Sequence, residues 1–423
     1  MTDRLSRNRN FGLLWTASFV SQTGDMIYAI AMAWMILVRT RSPAIMGLFL
    51  VASYLPGFLV SPWVGAIIDR SPRKRILVSA DVIRGTIVGL ASVVVFHGRL
   101  QLWHILAVAV VLSLSSAFFN PTARVVIPRI VQGDRLVAAN SSMQFISGAT
   151  SVAGPLLGAA LMGYLGYFGA FVLNAVSFFL SGGLILLVGG SLDPDQAGPA
   201  PRVDGGVRSG FRFISGNLRL LVVLIIIFCV HLFFGSLAVV LPFLANQLSG
   251  NGLLNLGMLE AALGTGIVAG AVALNLGKEE PRESALFWSI AALGLGILSL
   301  GACRGFGVAA PYAYEGALVV IGACVSMASV FWTTLMQRVI PDRIAGRIFA
   351  ISSAIGNIAL PMAYGIFGVL LGGISLEGLL VACGLTIVGI GLAGGKVYAR
   401  SEWKTSCCEV GDDQRGTWRG ESG

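Results

Sequence analysis

The sequence predicts an all-α membrane protein of twelve transmembrane helices in two six-helix bundles, and three observations carry that prediction. Of 423 residues, 56% are hydrophobic and only 12% are charged, a balance foreign to soluble domains. Apolar runs recur along almost the whole chain, each near the roughly 20 residues that a helix needs to cross about 30 Å of hydrocarbon. Of the 29 Lys and Arg, all but Arg39, Arg41, Arg99 and Arg304 fall at the two termini, in alternate connectors or at the helix starts beside them. Positive residues are retained on the cytoplasmic side, so this bias predicts an even number of spans in the cell membrane and two cytoplasmic termini.

The elements follow in order. Arg4, Arg7 and Arg9 precede span 1 at 12–37, which is too long for a signal-peptide core and reads as an uncleaved first helix. Spans 2 to 6 cover 44–68, 76–97, 101–120, 139–163 and 167–189. A stretch rich in Pro, Gly and Asp, 191–210, then interrupts the apolar pattern and reads as a linker. Spans 7 to 12 cover 220–244, 253–276, 285–303, 311–336, 346–371 and 376–397. The organisation is therefore a first bundle at 1–190, a cytoplasmic linker at 191–219, a second bundle at 220–400 and a disordered tail at 401–423, too poor in apolar residues to fold alone. "ARVVIPRI" at 123–130 and "QRVIPDRI" at 337–344 occupy matching places in the two halves, as expected of tandem bundles that rock about a central site.

Several function classes lose support at once. The net charge of +9 is spread over short connectors, not gathered with aromatic partners on one face, so no nucleic-acid partner is expected. Cys229, Cys303, Cys324 and Cys383 lie in apolar runs, and Cys407 and Cys408 lie together in the tail. That pattern is neither a disulfide framework nor a metal site, and the tail pair reads as two free thiols in a reducing compartment. No nucleotide-binding loop or hydrolase triad is visible, so no enzyme activity, cofactor or metal is expected.

Charge inside the spans is rare and costly unless paired or wetted. Asp25, near the middle of span 1 beside Gly24, is the first candidate for proton or substrate coupling, and Glu260 in span 8 is the second; a carboxylate hydrogen-bonded at a helix break is the plainer reading of Asp25. Asp81 and Arg84, three residues apart on span 3, are expected to pair near the cytoplasmic side.

The densest charge lies in "GAIIDRSPRKRI", residues 65–76. Gly65, one turn before Asp69, permits close approach of another helix. Asp69 could meet the positive end of a neighbouring helix, while Arg70, Arg73, Lys74 and Arg75 could neutralise it, pair elsewhere or hold acidic lipid. Gly65, Asp69, Arg70, Arg73 and Lys74 match the G-x-x-x-D-R-x-x-R-K signature between helices 2 and 3 of the major facilitator superfamily. With "NRNFGLLW", "SQTGD", "RSPAIMGL", "DVIRG" and "PDRIAGR", the chain resembles its macrolide-efflux and siderophore-export branch. The resemblance implies the major facilitator fold and a latch that locks helix 2 against helix 11 on the cytoplasmic side in the outward-open state. Asp69 would then face the second-half connector carrying Asp342, Gly346 and Arg347.

In span 5, Gly154, Pro155 and Gly158 form "GPLLG", similar to the helix 5 motif of drug exporters, with Ala159 where that motif prefers a second Gly. Span 4 lacks the Arg of a related antiporter motif, and the connector between spans 8 and 9 lacks the latch pattern. The expectation is a monomeric secondary transporter that exports a medium-sized amphipathic drug, siderophore or metabolite by alternating access. Its partners are a small-molecule substrate, protons and the lipid bilayer. Uptake by proton symport and a non-transporting receptor or scaffold on the same fold remain open alternatives.

Overall fold

A computed structural model describes residues 8–131, 135–190, 192, 218–276, 283–339 and 342–400. Most of the expected linker, the tail with Cys407 and Cys408, and the side chains at 342–347 lie outside the described residues. The helices are α1 (Arg9–Thr40), α2 (Pro43–Arg70), α3 (Arg73–Phe96), α4 (Leu102–Ile130), α5 (Arg135–Leu186), α6 (Leu218–Phe234), α7 (Ser236–Gln247), α8 (Gly252–Leu276), α9 (Glu283–Gly305), α10 (Pro311–Val339), α11 (Asp342–Leu370) and α12 (Leu376–Arg400). Among the described residues, ten helical stretches are long and apolar enough to cross a membrane.

Local chemistry sets the boundaries. The Asn8 side chain accepts from the Phe11 amide and starts α1, and Ser42 with Pro43 at the first helical position starts α2, both standard helix openings. The 52-residue α5 is bent at Gly166, where φ 64 and ψ −173 leave helical space in a region that glycine enters without steric cost. Its two arms meet the expected break between spans 5 and 6. Gly235 interrupts the apolar run at 218–247 and divides α6 from α7, where a single span was expected.

The apolar cores reveal the arrangement. Ile27, Ile30 and Ala159 share one buried cluster with Leu256, Leu259 and Phe367. Tyr28, Met35 and Phe49 share another with Val239 and Tyr364. Both clusters join the two halves of the chain. A third cluster, including Phe11, Leu14, Leu77, Phe119 and Ile185, is confined to the first half. A fourth, of Leu220, Leu224, Met336, Ile348 and Ile351, is confined to the second. Among the described residues the halves are thus fused toward the end that holds the α1–α2 turn and keep separate cores toward the end that holds the α2–α3 connector; these are the closed and open ends below.

Small residues make the closed end. A Cβ on Gly47 of α2 would lie 2.3 Å from the Tyr364 carbonyl oxygen of α11, and one on Gly368 would lie 2.9 Å from the Gly47 Cα. Midway along α8, a Cβ on Gly264 would lie 2.5 Å from the Ser151 carbonyl oxygen of α5, so close approach between the halves continues to mid-helix. Helices that approach this closely need a missing side chain at the contact.

Candidate functional site

The site grows from the contact between α1 and the second arm of α5. A Cβ on Gly24 would fall 2.1 Å from Ser177 Oγ and 2.8 Å from Asn174 Oδ1, so the glycine lets α1 settle against α5 and fixes the next residue, Asp25. Asp25 is half-buried, with Asn174 as its polar neighbour and Asp81 and Arg84 within electrostatic range. Tyr54 of α2 is 52% exposed and lies within electrostatic range of both Asp25 and Glu260. Its ring centroid is 5.4 Å from that of Tyr364 on α11. Glu260, half-buried on α8, has no hydrogen-bond or salt-bridge partner among the described residues. Four helices from both halves therefore direct polar groups to one central face, just inside the closed end. Carboxylates and phenols there can accept protons, hydrogen-bond a polar group and stack on an apolar ring.

Behind Asp25 lies a buried ion pair. Arg84 Nη2 donates to Asp81 Oδ1, and Ser181 Oγ donates to Asp81 Oδ2 at 2.7 Å. The Arg84 guanidinium carbon sits 4.3 Å from the Phe119 ring centre and 4.5 Å from that of Phe178. Asp81 is 0% exposed and Arg84 2%. The expected pair forms, inside the first half. It begins two turns into α3, about 12 Å along its axis, and is sealed by α4 and α5. Paired charge and two aromatic faces offset the desolvation of a cation at this depth.

The connector signature divides in space. Arg73 is buried and donates to the Leu192 carbonyl, and Lys74 Nζ donates to the Val188 carbonyl at 2.8 Å. Both therefore satisfy carbonyls beyond the end of α5, where a cation also complements the helix dipole. Gly65, Asp69 and Arg70 are exposed, and among the described residues nothing lies within 4 Å of a Cβ built on Gly65. The expected partners of Asp69 at 342–347 have no described side chains. The five residues therefore form two groups here, one tying α3 to α5 and one facing the open end.

The α5 motif is a packing seam. A Cβ on Gly154 would lie 2.5 Å from Met26 Cβ, and one on Gly158 would lie 3.1 Å from Ile27 Cα. On its other side, the Pro155 carbonyl oxygen and Ala159 Cβ lie 2.8 Å and 2.6 Å from a Cβ built on Gly257 of α8. The departure from the motif at Ala159 is thus met by a glycine in the opposite half.

Sequence reasoning passed over Tyr54, Tyr364 and Ser181. A tyrosine within an apolar helix is a usable signal for the first two, because its hydroxyl needs water or a partner. Ser181 carries no such signal, since serines are frequent at helix contacts.

A family profile described as "transmembrane secretion effector", of the major facilitator superfamily, matches residues 5–405. The chain is 21% identical over 360 residues to macrolide efflux protein A of Streptococcus pyogenes, covering 83% of this chain and 87% of that one. It is 25% identical over 402 residues to the major-facilitator-type transporter YfiS of Bacillus subtilis, covering 92% and 93%. Its fold is similar to that of the nucleoside transporter NupG, with TM-score 0.76 at 10% identity over 93% of this chain and 100% of that one. It is also similar to an inward-facing bacterial homologue of the iron transporter ferroportin, with TM-score 0.70 at 18% identity over 92% and 98%. With helices fitted to a bilayer and a polar face between two halves, the chain belongs to the transmembrane secretion effector family of the major facilitator superfamily, as a multi-pass membrane transporter and not an enzyme.

Proposed function

We propose that this transporter exports medium-sized amphipathic compounds in exchange for protons. The observation that carries the proposal is the convergence of Asp25, Tyr54, Glu260 and Tyr364, from both halves, between a fused end and a separated one. Tyrosine faces suit an amphipathic ligand, and two carboxylates without a salt bridge suit exchange between a proton and substrate. The efflux names of its relatives favour export over uptake. α1 and the two arms of α5, counted with the other apolar segments and α6–α7 taken as one, make twelve crossings. Retention of the basic connectors places both termini in the cytoplasm. The open end then faces the cytoplasm, and the arrangement is an inward-facing state that loads substrate from inside the cell or its inner leaflet. The Gly65–Asp69 latch engages α11 when the halves rock to the outward-open state, and the protein works as a monomer.

The test is transport by proteoliposomes under an imposed pH gradient, with a panel of macrolides, siderophores and dyes. Asp25→Asn is expected to reduce gradient-driven movement by about tenfold or more, the usual scale for removing a proton-transfer group, while retaining gradient-free exchange of substrate. Gradient-driven transport equal to wild type in both Asp25→Asn and Glu260→Gln would overturn the coupling assignment.

A further inference from the structure

A cavity of about 340 Å³ lies away from the central face, between α3 and α4 near the open end. Ile76, Ala80, Ile83, Val111, Leu114 and Phe118 line it, with only the hydroxyls of Ser79 and Ser115 among them. Ser79 Oγ already donates to the Ile76 carbonyl, so the lining suits an alkyl chain better than a polar solute. Ser79 and Ile83 are exposed, whereas Leu77, Asp81, Arg84 and Val88 on the opposite face of α3 are buried. The cavity therefore opens sideways, toward the surface that lipid covers. Its lining spans about 10 Å along α3, roughly a third of the hydrocarbon thickness, at one margin of the bilayer.

The mouth of this crevice is basic. Arg75 stands one turn before Ser79 and two before Ile83, on the same face of α3. Arg73 and Lys74 are committed to carbonyls beyond α5, but Arg75 is exposed and has no partner among the described residues. A dry slot with a cation at its margin matches a ligand with an apolar chain and an anionic head. We propose that the α3–α4 crevice seats one acyl chain of an acidic phospholipid and that Arg75 holds the lipid phosphate. Arginine suits this role because its planar fork donates two parallel hydrogen bonds to phosphate oxygens. The lipid bridges the first turns of α3 to the middle of α4, beside the α2–α3 connector.

The experiment is native mass spectrometry of the full chain released from micelles containing equal phosphatidylglycerol and phosphatidylcholine. Wild type is expected to retain phosphatidylglycerol about fivefold over phosphatidylcholine, the discrimination of one Arg near the bilayer surface. Arg75→Gln removes that excess, Ile83→Trp fills the crevice and lowers retention of both lipids, and Arg70→Gln changes neither. Equal retention of the two lipids by wild type, or an excess that survives Arg75→Gln, overturns the proposal. An equal loss in Arg70→Gln also overturns it, by showing diffuse attraction to the whole connector, and displacement of the lipid by a macrolide makes the crevice a substrate route instead. If Ile83→Trp fails to fold, Arg75→Gln still decides, because it alters an exposed side chain.

Discussion

The two ends of the transporter are held together differently. At the closed end, glycines 47 and 368 bring α2 and α11 into backbone contact, and two apolar clusters draw residues from both halves. At the open end each half keeps its own core among the described residues, the Arg73 and Lys74 ties hold α3 to the end of α5, and deeper in the first half lies the sealed Asp81–Arg84–Ser181 cluster. The difference teaches that interior charge can serve cohesion within a half while backbone contact between small residues serves the reversible joint. A buried ion pair is expensive to break and therefore suits a unit that moves as one body. Glycine contacts bury little side chain and part at lower cost, which suits a surface that separates in the proposed cycle.

The largest expected effect comes from cutting the cohesion of the first half. Arg84→Leu leaves Asp81 buried without its cation and is expected to cost about 3–5 kcal/mol, measured as lost thermal stability in detergent. Asp81→Asn combined with Arg84→Leu is expected to recover part of that loss, since no charge is then left unpaired. A double variant no more stable than the single one would mean that packing between Phe119 and Phe178, not the ion pair, holds α3.

A smaller effect is expected from prying at the joint. Gly47→Val places carbon where the Tyr364 carbonyl oxygen stands, and overpacking of this kind costs about 1–3 kcal/mol. Because the cost falls on the state in which α2 touches α11, the population shifts toward opening there, by roughly tenfold for about 1.4 kcal/mol. A thiol-reactive probe on Ser42→Cys, in a background without the native cysteines, should react faster by that factor. Unchanged reactivity would show that the contact does not restrain the closed end.

The smallest effect is expected at the open end. Gly65→Ala meets nothing within 4 Å among the described residues and should alter thermal stability by less than about 1 kcal/mol, while slowing transport if Gly65 must approach α11 in the opposite state. A stability loss larger than that would mean that the open end is packed at this position.

The sequence by itself determined the membrane environment, the helical class, the break between the two arms of α5 and the family, because hydropathy, connector charge and a short signature are local properties of the chain. It also singled out Asp25 and Glu260, since charge in an apolar run stands out without a structure. Their shared approach to Tyr54 was not legible, because it joins residues from α1, α2 and α8 through packing between halves. The same reason explains Arg73 and Lys74. The signature fixed their identity, but the unpaired carbonyls near α5 decided what they hold. The depth of Asp81 and Arg84 required tertiary structure too, since only Phe119, Phe178 and Ser181 from other helices turn a three-residue spacing into a sealed core. Which end closes was likewise decided by the meeting of Gly47 with Gly368. A glycine records that another backbone can come close, while only the fold brings that backbone to it.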